Sequence, residues 1–341
     1  MTTFPTDMLR DTLISWLRID SVTPGERAFL EHLQGFFESR GWQVRRQPIT
    51  EERWNIVVTR PGRPNPSLLY STHVDTVPPC FAPRVEGERV FGRGACDTKG
   101  GLLAMVAAAH RLLDAGHDDV GFLLVVGEEV DHRGAKASRA LADITPKQIV
   151  LCEPTINRVV AAQKGMVKCD LEADGVAAHS AYPERGDSAL HRMIASTHGL
   201  LSEDWPVDEL LGPTTLNVGE LHSGIAANVF APSATASLVI RTVRPTADYT
   251  DVLERHTAPH RVRITNVVQN DPVFFTPPDG VETCTVAFNT DATYLAELGP
   301  VWLVGPGDIE VAHTDHEHID LRELVAGVHL YERLGRLVLS G

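Results

Sequence analysis

The chain has 341 residues, of which 43% are hydrophobic and 22% are charged, and its formal net charge is -14. This composition is that of a globular protein with a length of about two domains, and the acidic balance without any lysine or arginine run excludes a nucleic-acid-binding surface. No stretch approaches the ~18 apolar residues that a membrane span needs, and five scattered cysteines without a CxxC pair favour a reduced, cytoplasmic protein.

The first 160 residues alternate helical and strand patterns. Leucines recur at helical spacing from Leu9 to Leu17, and residues 23–26 (TPGE) predict a capping box that starts the next helix. Apolar runs then predict strands at 55–58, 67–70, 120–126 and 148–151, and helices are predicted at 101–113 and 135–141. This alternation predicts an α/β fold with a mixed, mostly parallel sheet and helices on both faces.

The pattern changes at Lys164, where strands with better alternation begin. Between 164 and 267 the predicted order is β-α-β-β-α-β, which is typical of a ferredoxin-like α+β domain. A segment rich in proline and phenylalanine, 271–280, predicts the return to the first sheet, before a core strand at 301–304 and a closing helix at 321–339. We therefore expect a discontinuous first domain, 1–163 and 281–341, with 164–280 inserted.

Acidic residues and histidines follow the predicted strands directly. His73 and Asp75 come after one strand, Glu128 and Glu129 after the next, and Glu153 after a third. Open α/β sheets hold their sites in the crevice beyond the carboxyl ends of the strands. Each pattern alone has a structural alternative, since a histidine at a strand end can be structural and an acidic turn can be merely solvated.

Two further candidates lie in loops. Asp97 stands in a glycine-rich turn (GRGACDTKGG) that runs into a helix, and His313 follows the last core strand. The turn could also bind an anion, although its glycine spacing fits neither the Walker nor the dinucleotide pattern. Taken together, the histidines and carboxylates predict a pair of N/O sites suited to zinc or a similar divalent ion, with one glutamate left for proton transfer.

The motifs STHVDTVP, GRGACDTKGG, GEE, EPT, AHSAYPERGDSAL, ANVFAP and GPGDIEVAHTDHEHI occur in this order between residues 71 and 319. In this pattern the chain resembles the two-domain metallohydrolases that include acetylornithine deacetylase, succinyl-diaminopimelate desuccinylase, aminoacylase and zinc carboxypeptidases. The resemblance implies a zinc-peptidase-like catalytic domain that binds two divalent ions, zinc or cobalt. It also implies that the inserted domain serves as a lid and joins two chains in a homodimer.

The resemblance implies roles for individual residues. One ion would be held by His73, Asp97 and Glu153, and the second by Asp97, Glu129 and His313. The catalytic group would consist of Glu128 as general base, Asp75 to orient His73, and His179 to stabilise the oxyanion in the partner chain's site. The substrate would be contacted by Asn228, Arg241 and Thr290.

The loop at 305–310 (GPGDIE) is most similar to the acetylornithine and acetylcitrulline deacetylase branch. We therefore expect hydrolysis of a small N-acyl amino acid, N-acetylornithine or a close relative such as N-acetylcitrulline. A desuccinylase, a metallo-carboxypeptidase or a dipeptidase would use the same metal chemistry. A silent ligand-binding homologue is the alternative from another class, and the presence of every ligand and of Glu128 argues against it.

Overall fold

In the computed structural model, which describes residues 4–340, the elements follow the predicted alternation. The helices are α1 (Thr6–Leu17), α2 (Arg27–Glu38), α3 (Lys99–Asp114), α4 (Arg133–Ser138), α5 (Ala189–Leu201), α6 (Ala247–Thr257), α7 (Ala292–Leu295) and α8 (Leu321–Leu339). The strands are β1 (Gln43–Pro48), β2 (Trp54–Thr59), β3 (Leu68–His73), β4 (Arg84–Glu86), β5 (Arg89–Phe91), β6 (Val120–Val125), β7 (Gln148–Leu151), β8 (Val159–Gln163), β9 (Gly165–Asp174), β10 (Val207–Asp208), β11 (Gly212–Pro213), β12 (Thr215–Ser223), β13 (Ser233–Thr242), β14 (Arg263–Asn270), β15 (Val273–Phe274), β16 (Thr283–Val286), β17 (Val301–Leu303) and β18 (His318–Asp320).

The chain forms two compact units. The first consists of the described residues of Met1–Ala161, Phe275–Cys284 and Thr290–Gly341, and the second of Ala162–Phe274 and Thr285–Asn289. The return segment joins the first unit earlier than the sequence-based boundary, because Trp302 Nε1 donates to Thr276 O at 2.9 Å and Arg333 Nη2 donates to Gly280 O at 2.8 Å.

The first unit contains a six-stranded sheet in the order β1-β2-β6-β3-β7-β17. Strands β6, β3, β7 and β17 pair in parallel, whereas β2 pairs antiparallel with both of its neighbours, β6 and β1. Every residue of β3 and β6 is buried, as expected of parallel strands covered on both faces. The prediction of a mostly parallel α/β sheet is therefore confirmed.

Helices α3 and α8 pack together in the core of the first unit. The early turns of α3 are almost entirely buried, which is why this helix is rich in alanine and glycine. A Cβ at Gly101 would lie 2.0 Å from Cys152 Sγ, so the helix can approach the sheet only with glycine there. Tyr331 of α8 donates a hydrogen bond to Val304 O at 2.9 Å, and this contact ties the closing helix to the end of β17.

The second unit contains an antiparallel sheet in the order β12-β13-β9-β14. Strand β13 alternates between buried and more exposed residues, so one face of the sheet packs on α5 and α6. Helix α5 begins where Ser188 Oγ accepts a hydrogen bond from His191 N at 3.3 Å. The β-α-β-β-α-β order and the strand order are those of a ferredoxin-like domain.

The predicted capping box at 23–26 is wrong. Helix α2 begins at Arg27, and its N-cap residue, Glu26, makes no side-chain cap. The Thr23 hydroxyl donates instead to Asp75 Oδ2 at 2.7 Å, and the buried Glu26 carboxylate pairs with Arg53. Long-range partners therefore take the two side chains that the local pattern assigns to the helix end. Among the described residues, no helix has the length and apolar character needed to cross a membrane.

Candidate metal centre

Three of the expected ligands lie at one edge of the parallel sheet. His73 is the last residue of β3, Glu129 follows β6, and Glu153 follows β7. Strands β6 and β7 flank β3 on either side. Because the carboxyl ends of these parallel strands meet at the same edge, side chains separated by up to 80 residues in sequence come together.

Asp97 and His313 reach the same place from two loops. His73 Nε2 lies 3.1 Å from Asp97 Oδ1, and His313 Nε2 lies 3.2 Å from Asp97 Oδ2. His313 Nε2 also lies 3.0 Å from Glu129 Oε2. The two oxygens of Asp97 therefore face two different histidines, which is the arrangement required of a carboxylate that is shared between two ions.

Glu153 fits a cation as well. The residue is buried, and its Oε1 has no hydrogen-bond partner among residues 4–340. Burial raises the pKa of Glu153 well above its ordinary value, although His73 opposes this rise, and the nearby charge of Asp97 adds to it. A buried carboxylate without a partner is costly, and a divalent cation at this point would remove that cost.

The pKa values of His313 and Asp97 reflect the opposite charges that lie together in the ligand group. Hydrogen bonds to Asp97 and Glu129 raise the pKa of His313 to about 10. Burial alone would raise the pKa of Asp97, but hydrogen bonds with His313 and His73 lower it overall. This set of imidazole nitrogens and carboxylate oxygens suits zinc, cobalt or manganese.

Asp75 makes different contacts from those that the sequence suggests. The His73 Nδ1 atom lies 3.0 Å from the backbone oxygen of Asp75 and 3.7 Å from its Oδ1, and only the first distance is that of a hydrogen bond. The carboxylate accepts instead from the backbone N–H groups of Gly127 (2.9 Å), Glu128 (3.2 Å) and Glu129 (3.1 Å). The backbone of Asp75 thus orients His73 while its side chain holds the turn after β6.

Glu128 lies on that turn beside two residues that the sequence analysis missed. Its Oε1 is 3.6 Å from His132 Nδ1, and the same nitrogen is 2.9 Å from Asp291 Oδ1. Burial raises the pKa of Glu128 well above its ordinary value, and Glu153 raises it further. One available signal is that His132 lies four residues after Glu128 and that Asp291 follows Thr290, which was itself a candidate.

Thr290 is fully buried in the first unit. Its Oγ1 accepts a hydrogen bond from Ala292 N at 3.1 Å, at the start of α7. The contact fixes the backbone around Asp291. The structure therefore places Thr290 next to the group formed by Glu128, His132 and Asp291.

The remaining candidates belong to the second unit. His179 and Asn228 are brought together there, because residues 179 and 229 form a β-bridge and Ser180 N donates to Asn228 O at 2.9 Å. Arg241 lies on β13, opposite Thr215 on one side, and is half-buried.

An α/β sheet that gathers two histidines and three carboxylates at its carboxyl edge, with a further half-buried glutamate beside them, defines a metal-dependent hydrolase. The chain belongs to peptidase family M20/M25/M40, whose model matches residues 69–336. Members of this family cleave amide bonds, and the assignment as a metallohydrolase is thereby confirmed.

Several proteins are similar over most of the chain. A peptidase M20 domain-containing protein of Schizosaccharomyces pombe is 31% identical and covers 94% of this chain and 82% of its own length. A probable carboxypeptidase of Aspergillus flavus is 34% identical and covers 93% of this chain and 87% of its own. The crystal structure of a tripeptidase from Staphylococcus aureus shares the fold, with a TM-score of 0.83, 21% identity and full coverage of both chains.

Proposed function

We propose that the protein hydrolyses the amide bond of a small N-acyl amino acid, N-acetylornithine or a close relative such as N-acetylcitrulline. The observation that carries the reaction class is the position of Asp97 between His73 and His313, with the buried Glu153 and the half-buried Glu128 nearby. The ligand sets are His73, Asp97 and Glu153 for one ion and Asp97, Glu129 and His313 for the other. When bound, two divalent ions supply Lewis acidity and lower the pKa of a water molecule.

Glu128 is the general base of the proposed reaction. Its backbone N–H donates to Asp75 Oδ1 at 3.2 Å, so contacts within the protein fix the turn that carries the side chain. Burial favours the protonated form of Glu128, which helps the carboxylate to keep a proton taken from water until the amine nitrogen departs. The hydroxide left by that water adds to the amide carbonyl carbon, and the proton moves from a Glu128 oxygen to the nitrogen as the C–N bond breaks. The products are the free amine and the carboxylate.

The loop at 305–310 supports the choice of substrate. Gly307 has φ +96°, and a Cβ there would lie 2.5 Å from Cys96 Cβ, so the position requires glycine. Backbone hydrogen bonds from Thr155 N and Asn157 N to Gly305 O fix the loop to the segment after Glu153. Glu310, the last residue of this loop, is exposed. A carboxylate at this place suits the cationic side chain of ornithine.

The second unit contributes the substrate contacts in this proposal. The guanidinium of Arg241 suits a bidentate contact with the substrate carboxylate, and Asn228 adds an amide. His179 would stabilise the oxyanion in the site of a second chain, which makes a homodimer part of the proposal.

A second candidate is removal of a C-terminal residue from a short peptide. The relatives named as probable carboxypeptidases, at 30% to 34% identity, favour it. Both reactions release an amino acid with a free carboxylate and use the same ligand set. They differ in the group on the acyl side, acetyl in one and aminoacyl in the other.

Turnover of a substrate panel by metal-stripped protein reloaded with zinc or cobalt tests these proposals. The panel consists of N-acetylornithine, N-acetylcitrulline, N-acetyllysine, N-succinyl-diaminopimelate and a dipeptide. Metal-dependent hydrolysis that is strongest for N-acetylornithine supports the first proposal, and preference for the dipeptide supports the second. Glu310→Gln should weaken selection of ornithine over citrulline without lowering kcat for citrulline. No turnover of any member would overturn both.

A further inference from the structure

Glu317 makes an unusually complete set of contacts for a residue outside the ligand set. It is fully buried, and its Oε2 accepts a hydrogen bond from Arg93 Nη1 at 2.6 Å. Its Oε1 accepts from three backbone N–H groups, those of Gly94 (2.9 Å), Cys96 (3.3 Å) and Asp97 (3.2 Å). Three backbone N–H groups of the turn that carries Asp97 therefore donate to a single carboxylate oxygen.

The segment that carries Glu317 is fixed to the same turn by its backbone. Gly92 N donates to Glu317 O at 3.1 Å, and β18, which starts at the next residue, pairs with β5 in register His318↔Phe91. The backbone pairing of β18 with β5 therefore ends beside the turn at 94–97, and the Glu317 carboxylate continues the hydrogen bonds into that turn.

The contacts of Asp75 provide a parallel. Asp75 accepts three consecutive N–H groups in the turn of Glu128 and Glu129, as Glu317 accepts three in the turn of Asp97. Each ligand-bearing turn is therefore built around a buried carboxylate. Backbone N–H groups without a partner in a buried turn would be costly, so both turns depend on these acceptors.

Glu317 also lies four residues after His313, which faces Asp97 Oδ2. The segment 313–317 therefore supplies one proposed ligand, His313, and also holds the turn that carries another, Asp97. We propose that Glu317 is a positioning residue for the metal centre, whose carboxylate sets the place of Asp97 relative to His313 and thereby the affinity for the ion that these two share. This inference rests on the proposed metal centre and is independent of the substrate.

The test is cobalt binding to the metal-free protein, followed by the visible absorption of the bound ions. Glu317→Asp keeps the charge but shortens the side chain, so one carboxylate can no longer reach both Arg93 and the backbone of 94–97. We expect the affinity for one of two cobalt ions to fall by about 10- to 100-fold, the range for residues that orient metal ligands. Glu317→Gln keeps the length of the side chain, so its loss of cobalt affinity should be several-fold smaller than that of Glu317→Asp.

Glu26→Asp is the matched control. Glu26 is equally buried and pairs with Arg53, but its carboxylate makes no hydrogen bond to a ligand-bearing turn among the described contacts. Both Asp variants should lose thermal stability, while only Glu317→Asp should lose cobalt affinity.

Wild-type affinity in folded Glu317→Asp, or an equal loss in Glu26→Asp, would overturn the inference. If Glu317→Asp does not fold, Glu317→Gln decides, because loss of the charge weakens all the accepted hydrogen bonds and unchanged affinity would then contradict the proposal. Failure of the wild-type protein to bind cobalt would instead overturn the metal centre itself.

Discussion

His132 Nδ1 lies 2.9 Å from Asp291 Oδ1, although the two residues are 159 positions apart in the chain. The contact holds the imidazole beside Glu128, whose Oε1 is 3.6 Å from the same nitrogen. Burial lowers the pKa of His132, but the hydrogen bond and the charge of Asp291 raise it overall. The Asp291 carboxylate therefore favours the protonated form of the imidazole that lies beside Glu128.

Asp291→Asn should lower the pKa of His132, because the burial of the imidazole remains while the opposing charge is removed. Turnover should fall by roughly tenfold, which is less than the 10²- to 10⁴-fold that a general base contributes. An NMR titration of the His132 ring and steady-state kinetics measure the two effects. An unchanged His132 pKa would contradict the assigned contact, and Asp279→Asn, at an exposed position of the same unit, is the control.

Glu128→Gln should abolish most of the activity while leaving the ions bound. The amide keeps the shape of the side chain but cannot accept a proton, so kcat should fall by about 10²- to 10⁴-fold. Metal content should stay at the wild-type value, because Glu128 belongs to neither of the two proposed ligand sets and its Oε1 lies 3.6 Å from His132 Nδ1. Metal analysis and initial rates check this, with the exposed Glu297→Gln as control. Near wild-type turnover would disprove the role of Glu128 as base.

Three of the proposed metal ligands could be predicted because sites in open α/β sheets lie beyond the carboxyl ends of the strands. His73, Glu129 and Glu153 each follow a continuous apolar run, and in a parallel sheet all such positions lie at one edge. The closing helix, 321–339, was likewise predictable because its apolar face repeats at helical spacing. Asp97 and His313 lie in loops, where a glycine-rich turn indicated the first and its place after the last core strand indicated the second.

The supporting contacts could not be predicted in the same way. Thr23 and Glu26 satisfy a local helix-start pattern, yet the hydroxyl binds Asp75 and the carboxylate binds Arg53. Glu317 lies over 200 residues from the turn that it holds. Such contacts form between donors and acceptors that tertiary packing brings together. The spacing of residues within the sequence does not indicate which of them will meet.

His313→Ala should remove the ion that Asp97 and Glu129 share with it. The pKa of His313 is raised to about 10, so in the metal-free protein its imidazole is protonated at pH 7. A cation must displace this proton, so metal affinity should rise with pH until about pH 10. Calorimetry in two buffers of different ionisation enthalpy measures the released protons.

The variant should bind one ion fewer and release fewer protons than the wild-type protein. The raised pKa also means that the ion pairs of His313 stabilise the metal-free protein fully below the ordinary histidine pKa of about 6.5. This contribution is lost as the pH rises through about 10. Equal proton release by the wild-type protein and His313→Ala would contradict the assigned protonation.

Asp75→Asn should destabilise the turn that carries Glu128 and Glu129. The side chain accepts three backbone N–H groups and the Thr23 hydroxyl, whereas asparagine offers only one acceptor oxygen and turns an NH₂ group toward the donors. The cost should be about 1–3 kcal/mol, together with a fall in kcat because Glu128 is no longer held. Urea unfolding of the metal-free protein at a series of pH values measures the stability.

The sign of the pH dependence follows from the pKa of Asp75. Burial alone would raise this pKa, but hydrogen bonds and the nearby His73 lower it overall. A carboxyl whose pKa is lowered by folding contributes stability above its unfolded pKa of about 3.9 and loses it as the pH falls. The difference between wild-type protein and Asp75→Asn should therefore be full at pH 7 and shrink below about pH 4. A difference that grows on acidification would show that the carboxylate does not hold this turn.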